Sequence, residues 1–156
     1  MRHNTGLIFS QKSKKMNKKI RGYWIVKCSP TLIYACCIYV ASSKDTSSTP
    51  LPPYVDKLIH FAVFGLLCLM TCWSLSSARI ETRKIYNIII AIAITSLYGV
   101  SDEFHQSFTP HRSVEFLDWL ADTGGAVSAG FFWQISVYKR HIKEKSLAMD
   151  KTPINM

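Results

Sequence analysis

Acidic and imidazole side chains are concentrated in one short segment of the sequence, residues 101–122, which reads SDEFHQSFTPHRSVEFLDWLAD. This segment holds five of the ten acids of the chain, and Arg112 is its only lysine or arginine. The five acids are Asp102, Glu103, Glu115, Asp118 and Asp122. Carboxylates and imidazoles that lie close together can transfer protons, bind a cation or coordinate a divalent metal. Long apolar stretches lie on both sides of the segment, so those stretches must position its side chains.

Four apolar runs predict four membrane-spanning helices, because each approaches the ~20 apolar residues that a span requires. They cover residues 23–41, about 58–75, about 86–100 and about 117–138. None alternates with a period of two, as a half-buried strand would. We therefore predict one all-α domain over residues 23–138, an integral membrane bundle of four transmembrane helices. For the first run a cleaved signal peptide is the alternative, although no small-x-small cleavage site follows it.

The net charge of +9 comes mainly from basic residues that flank these runs. They crowd residues 1–22, the loop at about 76–84 and the tail 139–156, whereas the other two loops carry few fixed cations. The positive-inside rule places the basic segments in the cytoplasm, together with both termini. We therefore predict a multi-pass protein of the cytoplasmic membrane, with membrane lipids as partners and no nucleic acid. Segment 101–122 would then face outward.

Polar residues converge at the predicted outer ends of three helices. Asp56 and His60 are four residues apart and share a helix face, and so do Asp102 and Gln106. Pro110 is expected to stop the third helix near Thr109. Ser113 is a plausible cap for the fourth helix. Glycines in that helix would allow its neighbours to approach closely. The predicted ligand-binding set is Asp56, His60, Asp102, Glu103, Gln106, Arg112, Asp118 and Asp122. We assign no cofactor and no metal site to it, and a purely structural role in helix packing is the alternative.

The five cysteines all lie within apolar stretches and none has the spacing of a metal-binding motif. The pattern predicts free, buried thiols that pack as small apolar groups.

The segments DKLIHFAVFGLL and YGVSDEFHQSFTPHRSVEFLDWLADTGGA resemble the VanZ-like family of small bacterial integral membrane proteins. The resemblance covers roughly residues 54–130. Asp122 departs from it, since the family usually has Asn there, and His111 stands where Gly is common. The resemblance implies a cell-envelope protein of the bacterial inner membrane. It also implies a role in low-level resistance to the glycopeptide teicoplanin.

Three functions remain open at this stage. In the first, the outward acidic cluster binds an envelope ligand, such as a lipid-linked cell-wall precursor, or helps to modify it. The second is a membrane-embedded enzyme in which Glu103 or Asp102 is the acid or base and His60 or His105 its partner. In a metal-assisted version, Asp102, His105 and Asp118 would hold a divalent ion. The third is a small transporter, which four spans could form only as a homo-oligomer.

Overall fold

The computed structural model describes residues 25–44, 52, 54–76, 84–110, 112 and 114–150. Four helices account for most of this part of the chain, which contains no strand. Helix α1 is Ile25–Ser42, α2 is Val55–Ser76, α3 is Lys84–Gln106 and α4 is Phe116–Asp150. The protein is therefore all-α, as predicted.

The helices alternate in direction along the chain. The end of α1 meets the end of α3, where the Ser43 hydroxyl lies 2.8 Å from His105 Nε2. The start of α2 meets the start of α4, where Lys57 Nζ lies 2.8 Å from Asp118. Helices α1 and α3 thus run one way, and α2 and α4 run the other. This is the arrangement that a chain crossing a membrane back and forth requires.

Two apolar clusters hold the bundle together. The first joins α2, α3 and α4 through small side chains: Cys68, Cys72, Ile88, Ala91, Ala126 and Ala129. The second joins α1 to α2 through Ile38, Phe64 and Leu67. All five cysteines are free, but the prediction of burial is confirmed only for Cys68 and Cys72. It is wrong for Cys36 and Cys37, which lie on the exposed surface of α1.

Three helices, α1, α2 and α3, are long and apolar enough to cross a membrane. Their outer surfaces carry large exposed apolar side chains such as Leu66 and Leu97, as lipid-facing surfaces do. Helix α4 is long but falls short of the same apolar standard. The reason is its inward face, where Asp118, Asp122 and several small residues lower the mean hydropathy of the helix. Its outer face still carries exposed apolar side chains such as Phe131. A fourth span within α4 remains a prediction.

Several local expectations are refined by the structure. Helix α3 ends at Gln106, three residues before Thr109, and residues 107–110 form a turn. Helix α4 begins at Phe116, so Glu115 is the residue immediately before it. The helix also continues without a break across the boundary predicted at 138/139, as far as Asp150.

Pro30 lies within α1 and has no N–H to donate to the carbonyl of Val26. The Ser29 hydroxyl donates to that carbonyl instead, at 3.2 Å. This contact explains how the helix tolerates the proline. The predicted basic segment 1–22, the loop cations Arg79 and Arg83 and the predicted cap Ser113 lie outside the described residues.

Candidate functional site

The polar groups meet at one end of the bundle, where α1 and α3 end and α2 and α4 begin. All eight predicted site residues lie there, and five of them are buried carboxylate or amide residues: Asp102, Glu103, Gln106, Asp118 and Asp122. Buried polar groups are costly in an apolar layer unless they are paired or reach water. The contacts that these polar residues make fall into three groups.

The first group surrounds Lys57, in the first turn of α2. Its ammonium contacts Glu115, lies 2.8 Å from Asp118 and lies 3.7 Å from Asp56. Asp118 is almost fully buried, whereas Asp56 and Glu115 are partly exposed. One lysine thus compensates three carboxylates from two parallel helices, and it fixes the register between α2 and α4. We call these four residues the Lys57 cluster.

The second group lies one turn deeper. His60 Nδ1 and Asp122 Oδ1 are 2.9 Å apart and both residues are buried. Because a carboxylate only accepts hydrogen bonds, Nδ1 carries the proton and donates it. Glu103, from α3, lies beside this pair, and one of its oxygens accepts the backbone N–H of Glu115 at 3.0 Å. We call His60, Glu103 and Asp122 the inner triad.

The third group connects the turn after α3 to the interior. Arg112 Nη1 donates to Gln106 Oε1 at 2.9 Å, and Gln106 Nε2 donates to Asp102 Oδ2 at 2.9 Å. The other oxygen of Asp102 is buried and has no hydrogen-bond partner among the described residues. These two hydrogen bonds therefore orient Asp102 and leave one of its oxygens able to accept a hydrogen bond from a further donor.

A cavity of about 360 Å³ lies between α1, α2 and α3 beside these groups. Its polar lining is Asp56, His60, Asp102, Gln106 and Arg112, and its apolar lining includes Tyr34, Ile38, Ile59, Val63 and Phe64. Glu103, Asp118 and Asp122 are not part of the wall, although Asp122 Oδ1 lies 2.9 Å from Nδ1 of the lining residue His60. The eight predicted residues thus divide into five that line the cavity and three that do not.

Glycines bring the helix backbones close enough for these contacts. A Cβ at Gly125 of α4 would overlap the carbonyl oxygen of Phe61 in α2 and lie 3.1 Å from the Gly65 nitrogen. The predicted close approach at the α4 glycines is therefore confirmed at this position. Gly99 of α3 has a different neighbour, because a Cβ there would lie 2.8 Å from Asp122 Oδ2. The missing side chain of Gly99 makes room for the Asp122 carboxylate.

Replacing Gly99 with alanine is expected to push Asp122 away from His60 and to lower the free energy of unfolding by about 1–3 kcal/mol. The added methyl group would meet only the side chain of Asp122, so the loss of stability should be smaller when Asp122 is also replaced with alanine. The coupling between Gly99 and Asp122 is measured by unfolding four proteins in mixed micelles: the unmodified protein, the two single variants and the double variant. Additive effects of the two substitutions would show that Gly99 does not act through Asp122.

Two sequence-based expectations are corrected here. His105 was expected near Asp102, but it points to α1, where it stacks on Tyr39 with ring centroids 4.1 Å apart. The metal set of Asp102, His105 and Asp118 is therefore not assembled. The predicted site set also omitted Lys57, which is central to its own cluster. Its signal was present in the sequence, since Lys57 lies three residues before His60 and thus near the same helix face.

The fold and the site together define an all-helical membrane protein with a buried polar cluster at one end of its bundle. The chain belongs to the VanZ/LLP1 family, whose model matches residues 4–137. A protein of the fission yeast Schizosaccharomyces pombe, described only as uncharacterized protein C11E3.10, is 28% identical over 92 residues. That match covers 59% of this chain and 54% of the relative, so the chain matches about half of the relative's length. No solved structure matches the chain.

Proposed function

We propose that the protein binds the polar, cation-bearing head of a membrane lipid or lipid-linked envelope precursor in the cavity between α1, α2 and α3. The observation that carries this proposal is the buried Asp102 oxygen that has no hydrogen-bond partner within the described part of the chain and lies beside an apolar wall. A buried acceptor without a donor is unfavourable, and an ammonium or hydroxyl donor from a ligand would remove that cost. The cavity volume falls in the range of about 300–1,000 Å³ that small-molecule sites occupy.

The two kinds of lining match the two parts of a lipid. Val63 and Phe64 belong to the transmembrane surface of the cavity and suit an acyl or prenyl chain, whereas Asp56 and Asp102 suit a cationic head. Arg112 at the same wall could pair with a phosphate, which many such lipids also carry. A head with both charges would therefore find a partner for each.

An envelope location and an outward-facing cavity are part of this proposal, since they rest on the positive-inside rule and on the family resemblance. A protein of similar sequence occurs in a fission yeast. We therefore place common membrane lipids ahead of a bacterial wall precursor as ligands. A role in teicoplanin resistance is a further part of the proposal. Growth of an expressing bacterial strain at graded teicoplanin concentrations tests it directly.

Asp102→Asn is expected to weaken binding of phosphatidylethanolamine about 10- to 100-fold, because the substitution removes a charge-assisted hydrogen bond worth about 1.5–3 kcal/mol. Native mass spectrometry of the detergent-solubilised protein measures this binding. Phosphatidylglycerol, which has no ammonium group, should be much less affected. A polyprenyl-linked wall precursor is tested in the same way.

Glu115→Gln is the matched control, because it also removes one carboxylate at this end of the bundle but does not change the cavity wall. It should bind phosphatidylethanolamine as the unmodified protein does. Equal binding of every probe by the unmodified protein, the Asp102 variant and the control would refute the proposal.

A second candidate is acid–base chemistry on a lipid-linked substrate. The contact that favours it is the His60–Asp122 hydrogen bond. A histidine that donates from Nδ1 to a carboxylate has Nε2 free to accept a proton, and His60 lines the cavity. Chromatography of the wall precursor after incubation with the protein distinguishes turnover from binding alone.

A further inference from the structure

Two sets of side chains near the cavity have the composition of a metal site. One is the inner triad of His60, Glu103 and Asp122, and the other is Asp56, His60 and Asp118. In each set, one potential ligand atom per residue lies within 4.8 Å of the other two. Both sets use His60, so a single ion would have to use one or the other.

The second set already has a cation. Lys57 Nζ lies 2.8 Å from Asp118 and 3.7 Å from Asp56, so an ammonium group already contacts both carboxylates. An ion in this set would be repelled by the ammonium group at short range. The Lys57 cluster therefore already contains a cation, and we do not assign a metal ion to it.

The inner triad differs in charge compensation. Among the ion pairs of the described residues, neither Glu103 nor Asp122 contacts a lysine or an arginine. Arg112, the nearest candidate in the sequence, donates to Gln106 instead. Two carboxylates thus share one histidine as their titratable partner.

The inner triad also has unsatisfied oxygens. Glu103 is 5% exposed and Asp122 is fully buried, yet Glu103 Oε1 and Asp122 Oδ2 have no hydrogen-bond partner among the described residues. An unpaired carboxylate oxygen in such a position costs free energy. Buried charges in proteins are generally paired or coordinate metals.

We propose that the inner triad binds one first-row divalent cation, Zn²⁺ or Mn²⁺, through His60, Glu103 and Asp122. One imidazole and two carboxylates form a mixed nitrogen and oxygen set that suits such ions. His60 Nδ1 and Asp122 Oδ1, 2.9 Å apart, are close to the ~3 Å that separates neighbouring ligands on an ion with bonds of about 2.0–2.2 Å. The ion takes the place of the Nδ1 proton, which moves to Nε2, because a histidine ligand is a neutral imidazole that keeps one N–H. Three protein ligands leave at least one coordination position for water or another ligand.

The test is the metal content of the protein, purified from membranes without chelator and without a histidine tag. Mass spectrometry of the elements is expected to find about one ion per chain. After removal with EDTA, titration with Zn²⁺ and with Mn²⁺ in competition with a chromophoric chelator gives the affinity and the preferred ion. Glu103→Gln and Asp122→Asn are expected to weaken binding of the preferred ion at least tenfold.

These two variants preserve side-chain shape, and the Glu103→Gln amide oxygen can still accept the Glu115 N–H, so that hydrogen bond is kept. Asp118→Asn is the control, because Asp118 belongs to the set that contacts Lys57 and not to the inner triad, and this variant should keep the ion. Protein without an ion in both experiments would overturn the inference. An ion that every variant retains would be adventitious, and an ion lost only with Asp118 would belong to the other set. Either of these two results would also overturn the inference that the inner triad binds the ion.

The metal site shares only His60 with the cavity lining, because Glu103 and Asp122 do not line the cavity. Asp102→Asn should leave the metal content unchanged. The two proposals can therefore fail separately.

Discussion

Gly125→Ala is expected to lower the free energy of unfolding by about 3 kcal/mol, at the upper end of the cost of overpacking. The added Cβ would overlap the carbonyl oxygen of Phe61, which is backbone of α2 and cannot rotate away. The α2 and α4 backbones would have to separate, and the contacts of His60 with Asp122 and of Lys57 with Asp118 cross the same interface. The variant should therefore lose stability and the geometry of the site together.

Gly124→Ala provides a matched control one residue away. Its Cβ would lie 3.7 Å from the Phe61 ring, which is ordinary van der Waals contact. Alanine is favoured over glycine in a helix by about 1 kcal/mol, so this variant should be as stable as the unmodified protein or slightly more stable. Unfolding by SDS in mixed micelles compares the two variants. Equal stability of both would show that α2 and α4 do not approach closely at Gly125.

His60→Ala is the second substitution with a large expected effect, a loss of about 3–5 kcal/mol in the free energy of unfolding. Asp122 is fully buried, and His60 is the donor to its Oδ1. Removing the imidazole leaves a carboxylate without its partner in the interior of the bundle, and it also leaves a cavity. The loss should be measured in EDTA, so that it reports the side-chain pair without a bound ion.

The double variant His60→Ala with Asp122→Ala separates these contributions. If the hydrogen bond joins the two residues energetically, the double variant should be about 2 kcal/mol more stable than the sum of the single losses predicts. The same micelle unfolding experiment on the four proteins gives this coupling. A coupling near zero would mean that the two residues stabilise the bundle through other contacts.

The structure also explains why one short segment holds so many acids. Glu115 and Asp118 are compensated by Lys57, which lies far away in the sequence, at the start of α2. Asp102 is oriented by Gln106. Glu103 and Asp122 contact no lysine or arginine among the described residues, and His60 is the titratable partner beside them. The acids therefore do not form one uniform patch, and three groups with different partners can be tested one at a time.

Helical class, membrane character and the end of the bundle at which the polar groups meet were all predictable from the sequence. The physical reason is that these features follow from helix geometry alone. An apolar run of about 20 residues is long enough to span a membrane. Residues four apart, such as Asp56 and His60 or Asp118 and Asp122, share one helix face. The family resemblance rested on the same residues, and the match of the family model over residues 4–137 confirms it.

The pairings within the site were decided by tertiary structure. From the sequence, either His60 or His105 could be the partner of an acid in the enzyme hypothesis, because both lie on helix faces that also carry carboxylates, although only His60 was placed in the predicted ligand-binding set. Packing separates them. His105 lies against the end of α1, and His60 meets Asp122 because Gly65, Gly99 and Gly125 let three backbones approach around that carboxylate. Close approach depends on how distant segments fit together, and helical spacing does not encode that fit.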